Sequence, residues 1–227
     1  MWKKIPNVLW LDTEQQILDA VSYLSTKPEV CYDSETTGLN ITTDYPLMFS
    51  LSDGVERFGA MADVLQHPIM KDYLENLPSI VGSNILIDIH WAENVGVSIK
   101  ADLINTVTED WLYDENREGR HGLKDCALDY CGIQMRDFKE VFPMNRATKL
   151  KAADTAKDAI LRKISTPEGF EDAKQYAGLD AYANMHVYWY LKEKLQSIDC
   201  YPPTYNSDGT VNRWTLWRSE EHTSELQ

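Results

Sequence analysis

Long apolar runs are missing from this sequence of 227 residues, and their absence excludes a helical membrane span. A helix needs roughly 20 consecutive apolar residues to cross a bilayer, and no stretch of the chain approaches that length. The first ten residues, MWKKIPNVLW, include two lysines but lack the apolar segment and small-residue cleavage site of a signal peptide. We therefore expect no membrane partner and a cytoplasmic location.

Cysteine and basic residues are both scarce, and each shortage excludes a class of protein. The four cysteines lie at positions 31, 126, 131 and 200, and no two show the CxxC spacing of a zinc site. Lysine and arginine total 22 against 36 acidic residues, for a net charge of -14. Because affinity for a phosphate backbone comes mostly from Lys and Arg, the chain is no general polyanion binder. An enzyme that acts on phosphodiesters is still allowed, since its carboxylates can bind metal ions that supply positive charge.

The order of the predicted elements indicates one α/β or α+β domain with a single mixed sheet. Apolar runs predict strands over residues 7–11, 29–35, 46–52, 57–62 and 79–82. Helical spacing predicts helices over 13–24, 68–77, 106–113, 123–130, 152–164 and 167–195, and one more that begins at Ser83 or Asn84. The dipeptide Asp53-Gly54 predicts a hairpin, so the first three long strands are expected to be antiparallel.

The C-terminal end of the sequence is expected to lie outside this domain. Residues 218–227, RSEEHTSELQ, resemble an in-frame translation of a sequencing-library adapter, and a disordered polar tail is the alternative. Residues 201–217 contain two prolines and an Asp-Gly pair, which predict a loop or the start of a truncated element.

Two acidic residues come at the end of the strand predicted over 29–35. Residues i and i+2 of a strand project from the same face, so Asp33 and Glu35 point the same way. Two like charges this close raise each other's pKa unless a cation compensates, and a divalent ion is the simplest such cation. A strand end with two solvated acids is the alternative interpretation.

A third acid, Asp88, lies four residues after Asn84, so the two share one face of a helix that follows a short strand. Ligand sites in sheet proteins gather where strands end and helices begin. Ile85 and Ile89 belong to a run that makes this helix apolar nearly all round, so we expect Asp88 to be partly buried. A buried carboxylate without a partner is costly, which again indicates a cation. An ordinary exposed helix acid is the alternative.

The last predicted helix places Tyr176 and Asp180 side by side, because they are four residues apart. Gly178 lies between them and costs up to about 1 kcal/mol relative to alanine within a helix. We therefore expect this helix to pack closely against the sheet at Gly178. A core tyrosine beside a surface aspartate is the alternative.

Together, these stretches resemble the three motifs of the DEDD 3′–5′ exonucleases, in the variant with a tyrosine in the third motif. The matching residues are DSETTGL at 33–39, Asn84-x-x-x-Asp88 and Tyr176-x-x-x-Asp180. The segments WLYDEN at 111–116 and GLKDCA at 122–127 are similar to the proofreading domain of family A DNA polymerases, particularly those of phages. The resemblance covers residues 5–195. Asn105 departs from the family, which often has aspartate before Thr106, and we expect a modest structural effect.

The resemblance implies an α/β, ribonuclease-H-like fold with a central mixed five-stranded sheet flanked by helices. The exonuclease domain would span residues 1–200, with 201–217 a truncated linker toward a missing downstream polymerase domain and 218–227 a non-native tail. The protein would be a monomer in the cytoplasm of a bacterium or a phage-infected host cell.

The resemblance also implies two divalent cations, Mg²⁺ or Mn²⁺, and assigns a role to each motif residue. The implied metal ligands are Asp33, Glu35, Asp88 and Asp180. The first ion would bind Asp33, Glu35 and Asp180, Asp33 would bridge to the second, and Asp88 would act through a bound water. Tyr176 would position the attacking water. The implied contacts to the terminal nucleotide of a single-stranded or frayed DNA 3′ end are Thr36, Leu39 and Asn84.

Two alternatives stay open at this stage. The first is an RNA-trimming exonuclease of the same fold, which would resemble ribonuclease D. The second is a catalytically inactive exonuclease fold that serves as a scaffold. The segment at 111–116 favours the polymerase relative over ribonuclease D, and the presence of all four acids and the tyrosine argues against an inactive scaffold.

Overall fold

A computed structural model describes residues 5–38, 40–145 and 155–197 of the chain. The strands are β1 Leu9–Trp10, β2 Cys31–Thr36, β3 Pro46–Ser52, β4 Arg57–Met61, β5 Ser79–Gly82 and β6 Asp102–Asn105. The helices are α1 Glu14–Leu24, α2 Pro68–Glu75, α3 Ile85–Asn94, α4 Thr106–Tyr113, α5 Leu123–Cys131, α6 Phe138–Val141, α7 Ala156–Ile164 and α8 Pro167–Ser197. None of these helices is both long and apolar enough to span a membrane.

The strands form one mixed sheet in the spatial order β1-β4-β3-β2-β5-β6. The pairs β2–β3 and β3–β4 are antiparallel, as expected, and the pairs β1–β4, β2–β5 and β5–β6 are parallel. The predicted α/β class is therefore confirmed, but the predicted count of five strands is wrong. The sixth strand, β6, is a four-residue edge strand that is largely exposed. It has no hydrophobic alternation, and only its pairing with β5 defines it.

Most predicted helices lie within one or two residues of their observed bounds. Thr13 begins α1 with a capping box, in which its side chain and that of Gln16 each accept a backbone N–H. The short helix α6 was not predicted. The first residues of the helix predicted over 152–164, and the linker and tail predicted over 201–227, fall outside the described residues.

Strand β2 lies near the centre of the sheet and separates two layers of helices. Tyr32 packs into a core cluster that includes Ile85 and Ile89 of α3. Cys31 packs on the opposite face against Ala181 and Met185 of α8. Because side chains alternate along a strand, Asp33 and Glu35 continue the face that carries Cys31 and project toward α8.

Helix α8 is held close to the sheet by a buried arginine and a glycine. The guanidinium of Arg57 donates to the carbonyl oxygens of Gly178 at 2.9 Å, Gln175 at 2.6 Å and Pro6 at 2.6 Å. A Cβ at Gly178 would lie only 2.7 Å from Cγ2 of Val8. The close packing that we expected at Gly178 is confirmed, and it fixes the distance from the sheet of the helical turn that also carries Asp180.

Candidate active site

Three of the predicted acids meet between β2 and α8. One carboxylate oxygen from each of Asp33, Glu35 and Asp180 lies within 4.8 Å of the others. Glu35 is buried, and Asp33 and Asp180 are half-buried. The strand alternation of β2 and the close packing of α8 at Gly178 together produce this cluster. It is the one such group of potential metal ligands among the residues that the structure describes.

Asp88 approaches from the opposite layer and is held by the residue between the two strand acids. Its Oδ1 accepts hydrogen bonds from the backbone nitrogen of Ser34 at 3.0 Å and from the hydroxyl of Ser34 at 2.5 Å. Asp88 is 7% exposed, so the expectation of burial is confirmed. It does not join the cluster of three. Sequence reasoning missed Ser34, although strand alternation could have placed it on the face toward α3.

All four carboxyl groups have raised pKa values. Burial is the largest cause at each, and it raises the pKa of Asp33 and Glu35 well above the usual range. Burial raises the pKa of Asp180 to about 7 and that of Asp88 to about 7. The negative charges of neighbouring acids raise the pKa of Asp33, Glu35 and Asp180 further. In the case of Asp88, the two bonds from Ser34 oppose the effect of burial.

Tyr176 borders the cluster on the same helix as Asp180. It is 6% exposed, and its ring packs edge-on against Phe142 with 5.5 Å between the ring centroids. Burial, followed by the charges of Asp180, Glu35 and Asp33, raises the pKa of its phenol well above the ordinary value. The phenol therefore keeps its proton at neutral pH and can act as a hydrogen-bond donor rather than as a base.

Lys124 is a basic group at the site to which sequence reasoning assigned no role. It lies in the first turn of α5, its ammonium is 5.9 Å from the ring centroid of Tyr176, and it pairs with Asp137 at 3.1 Å. Its positive charge lowers the pKa values of Glu35 and Asp180. The one available signal was its position in the segment at 122–127.

The structure describes two of the three predicted nucleotide contacts. Thr36 is half-buried, and its hydroxyl donates to the carbonyl of Gly38 at 2.7 Å. Leu39 lies outside the described residues. Asn84 occupies the N-cap position of α3, one of the two positions expected for the start of this helix, and its side chain makes no capping hydrogen bond.

The backbone of Asn84 is instead fixed from the neighbouring strand. Its φ of 59° lies in the left-handed region, which asparagine tolerates better than most residues. Its N–H donates to Oδ1 of Asn105 at 3.0 Å. The same Asn105 oxygen accepts from Val107 at 3.2 Å at the start of α4. The departure at Asn105 therefore has a structural role, which is to link α3 to α4.

These side chains fit a divalent cation. The donors are all carboxylate oxygens, the ligands that hard cations such as Mg²⁺ and Mn²⁺ prefer. Oδ1 of Asp180 is buried and has no hydrogen-bond partner among the described residues, as expected of an atom that binds a cation. Burial, with the negative charges of the neighbouring acids added to it, raises the pKa values of Asp33, Glu35 and Asp180, and a bound cation would offset both effects.

Comparison with known proteins identifies the class to which this site belongs. A profile of the 3′–5′ exonuclease family matches residues 8–196 of the chain. The chain therefore belongs to the 3′–5′ exonuclease family, and its four acids and tyrosine place it in the DEDD group. Members of this group use divalent metal ions, in agreement with the acidic cluster. No curated protein is a significant sequence match.

Solved structures of other exonucleases share the fold. Escherichia coli RNase D, an exoribonuclease involved in structured RNA processing, has a TM-score of 0.62 at 14% identity, over 85% of this chain and 46% of that chain. The catalytic core of RRP6 from Trypanosoma brucei has a TM-score of 0.60 at 17% identity, over 85% and 48%. Brucella melitensis NrnC bound to pGG has a TM-score of 0.59 at 14% identity, over 85% and 83%. The chain thus spans about half the length of the first two proteins.

Proposed function

We propose that this chain is a 3′–5′ exonuclease that removes nucleoside 5′-monophosphates from single-stranded or frayed DNA 3′ ends, as the proofreading part of a family A DNA polymerase. The convergence of Asp33, Glu35 and Asp180 carries the proposal, because it provides a carboxylate site for divalent ions beside a protonated tyrosine. Family membership supports the reaction class. The polymerase context rests on the segments at 111–116 and 122–127.

Each side chain at the site then has a defined task. Two Mg²⁺ or Mn²⁺ ions, when bound, would activate the attacking water and stabilise the leaving 3′ oxygen. Tyr176 donates a hydrogen bond that orients the attacking water, since its phenol stays protonated. Asp88, held in place by Ser34, would act through a bound water.

The overall charge is consistent with proofreading. A terminal nucleotide must leave the duplex to reach these buried acids, and a mispaired end does so at lower cost. With a net charge of -14, the chain would bind duplex DNA weakly, and the main duplex-binding surface would belong to the proposed polymerase domain. Tight duplex binding by this chain at physiological salt would contradict that division of labour.

The direct test is Mg²⁺-dependent release of nucleotides from a single strand labelled at its 3′ end. Asp33→Ala and Asp180→Ala should each abolish release, and chelation of the metal should do the same to the wild-type protein. Asp63→Ala, which removes an exposed acid away from the cluster, is the matched control and should keep full activity. Activity that survives in either cluster variant would exclude the two-metal assignment, and an inactive wild-type protein would favour a scaffold.

RNA trimming is the second candidate, and the fold similarity to RNase D favours it. The same label on matched DNA and RNA strands separates the two candidates. A higher kcat/KM on DNA supports proofreading, whereas a higher value on RNA supports trimming. In either case, the four acids and Tyr176 keep their assigned tasks.

A further inference from the structure

The segment that pairs with the end of strand β2 carries an aromatic side chain that the reaction so far leaves without a task. Tyr45 immediately precedes β3 and is 42% exposed. Lys157 of α7 places its ammonium 5.0 Å from the centroid of the Tyr45 ring. We propose that Tyr45 and Lys157 form a subsite for the nucleotide that precedes the 3′-terminal one. The base stacks on Tyr45, and a backbone phosphate pairs with Lys157. This inference rests on the proposed exonuclease function.

Tyr45 is tied to the chain segment that carries the strand acids. Two hydrogen bonds restrain the backbone of Tyr45. Its N–H donates to Oγ1 of Thr37 at 3.0 Å, and its carbonyl oxygen accepts the N–H of Thr37 at 3.0 Å. Thr37 comes two residues after Glu35. At about 3.3 Å per strand residue, Tyr45 therefore lies roughly 7 Å along the strand from the level of Glu35. That offset suits a nucleotide next to the scissile phosphate.

The loop that carries Tyr45 is held in place from three directions. Asp44 accepts from the hydroxyl of Thr37 at 3.1 Å and from the backbone nitrogen of Asn40 at 2.9 Å. The side-chain amide of Asn94 in α3 donates to the carbonyl of Ile41 at 3.0 Å. An exposed ring on a restrained loop loses little conformational freedom when a base stacks on it.

Lys157 lies on the side of the site that Tyr176 occupies. Ala159 and Ile160 of α7 pack in one cluster with Phe142 and Tyr176, so the inner face of α7 is fixed against the site. Among the described residues, no carboxylate forms an ion pair with Lys157. Helix α7 has three basic residues and one acidic residue, in a chain whose acids outnumber its bases 36 to 22.

A single-stranded nucleic acid is the ligand that this pair of side chains fits. Proteins bind single strands by stacking successive bases on aromatic rings while cations track the backbone. Tyr45 supplies an exposed ring for stacking, and Lys157 supplies a cation for the backbone. A free mononucleotide would gain little binding energy from Tyr45 and Lys157, because a single nucleotide would bind at the carboxylate cluster and would not reach this subsite.

Steady-state kinetics on two substrates test the subsite in the full chain. On a labelled single-stranded oligonucleotide, Tyr45→Ala should raise KM about 10-fold and leave kcat nearly unchanged. Tyr45→Phe keeps the ring and should match the wild-type protein. On the p-nitrophenyl ester of thymidine 5′-monophosphate, which has no preceding nucleotide, Tyr45→Ala should change neither constant.

A substrate change tests the same contact without altering the protein. An abasic residue at the penultimate position should raise KM of the wild-type protein by the same factor, and should add nothing further in Tyr45→Ala. Lys157→Gln should lower the slope of log KM against log salt by about one relative to the wild-type protein, whereas the control Lys100→Gln, at an exposed position before β6, should not.

The outcomes separate the subsite from the function on which it rests. Suppose that the wild-type protein cleaves both substrates, but that Tyr45→Ala has the KM of Tyr45→Phe and the abasic strand has the KM of the intact strand. The subsite is then wrong, and the exonuclease assignment stands. If Tyr45→Ala slows the small ester as much as the oligonucleotide, Tyr45 supports the carboxylates rather than a base, and the subsite is again wrong. If the wild-type protein cleaves neither substrate, both proposals fail.

Discussion

Ser34 donates its backbone N–H and its hydroxyl to the same carboxylate oxygen of Asp88, at 3.0 and 2.5 Å. Ser34 lies between Asp33 and Glu35. The end of strand β2 therefore carries two acids on one face and holds Asp88 of α3 on the other. Asp33 and Glu35 face α8, and Ser34 faces α3. Both bonds favour the charged form of Asp88 against the effect of burial.

Replacement of Ser34 by alanine should shift the pH dependence of activity. Loss of the hydroxyl removes the larger of the two Ser34 contributions that lower the pKa of Asp88, so this pKa rises above about 7. The acidic limb of the pH–rate profile should therefore move to higher pH, with roughly 10-fold lower kcat/KM at pH 7. Ser22→Ala, at an exposed position in α1, is the control. An unchanged profile in Ser34→Ala would show that Asp88 does not need this bond.

The metal-free protein should lose stability as the pH rises from 5 to 8. Asp88 and Asp180 have folded pKa values of about 7, against 3.8 for an unperturbed aspartate, so the folded state binds more protons in this range. Stability therefore falls as these groups lose their protons. We expect a Tm in EDTA roughly 5 °C lower at pH 8 than at pH 5. Added Mn²⁺ should raise the Tm more at pH 8, because protons then compete less for the carboxylates.

Asp180→Asn serves as the matched variant for that measurement. The amide keeps the shape of the side chain and removes one of the clustered charges. Its metal-free Tm at pH 8 should be several degrees above that of the wild-type protein, with a smaller change between pH 5 and 8, while nuclease activity is lost. A Tm at or below the wild-type value at pH 8 would mean that charge repulsion among these acids is not destabilising the fold.

Lys124→Met should weaken the apparent affinity of the site for Mg²⁺ at pH 7. The charge of Lys124 lowers the pKa values of Glu35 and Asp180, so its removal raises both. The Mg²⁺ concentration for half-maximal rate at pH 7 should increase severalfold and should recover toward the wild-type value at pH 9. Lys124→Arg keeps the charge and is the control. Equal metal dependence in all three proteins would exclude an electrostatic role for Lys124.

Arg57→Met should destabilise the fold without changing the chemistry of the acids directly. It leaves the carbonyl oxygens of Pro6, Gln175 and Gly178 without the donors that the guanidinium provides. We expect about 2–3 kcal/mol lower free energy of unfolding by urea titration. Lys100→Met, at an exposed position before β6, should change this free energy by less than about 0.5 kcal/mol. A similar small effect in Arg57→Met would show that the helix and water replace those donors.

Gly178→Ala should destabilise the protein even though alanine is the better helix former. The added Cβ would lie 2.7 Å from Cγ2 of Val8, and such overpacking costs about 1–3 kcal/mol. The gain in helix propensity is no more than about 1 kcal/mol. Val8→Ala in the same chain removes the contacting methyl and should recover part of the loss in a double-mutant cycle. Additive effects of the two substitutions would contradict the contact.

The sequence by itself was enough to locate the chemistry. The two-residue spacing of Asp33 and Glu35 and the four-residue spacing of Tyr176 and Asp180 are local, and strand and helix geometry convert them directly into shared faces. Side-chain caps mark the starts of α1 and α4, and β3 is a largely apolar run between Pro46 and the Asp53-Gly54 turn. Gly178 signalled its close packing because a glycine within a helix needs a cause.

Only the tertiary structure decided which groups stabilise those acids and where the sheet ends. The bond from Ser34 to Asp88 joins residues 54 positions apart. The charge of Lys124 reaches Glu35 and Asp180 from another helix. Strand β6 exists because β5 offers it a partner, and the backbone of Asn84 at the start of α3 is fixed by Asn105, which accepts its N–H. Local periodicity is a property of the chain alone, whereas pairing between distant segments depends on how the layers pack, which no short stretch of sequence encodes.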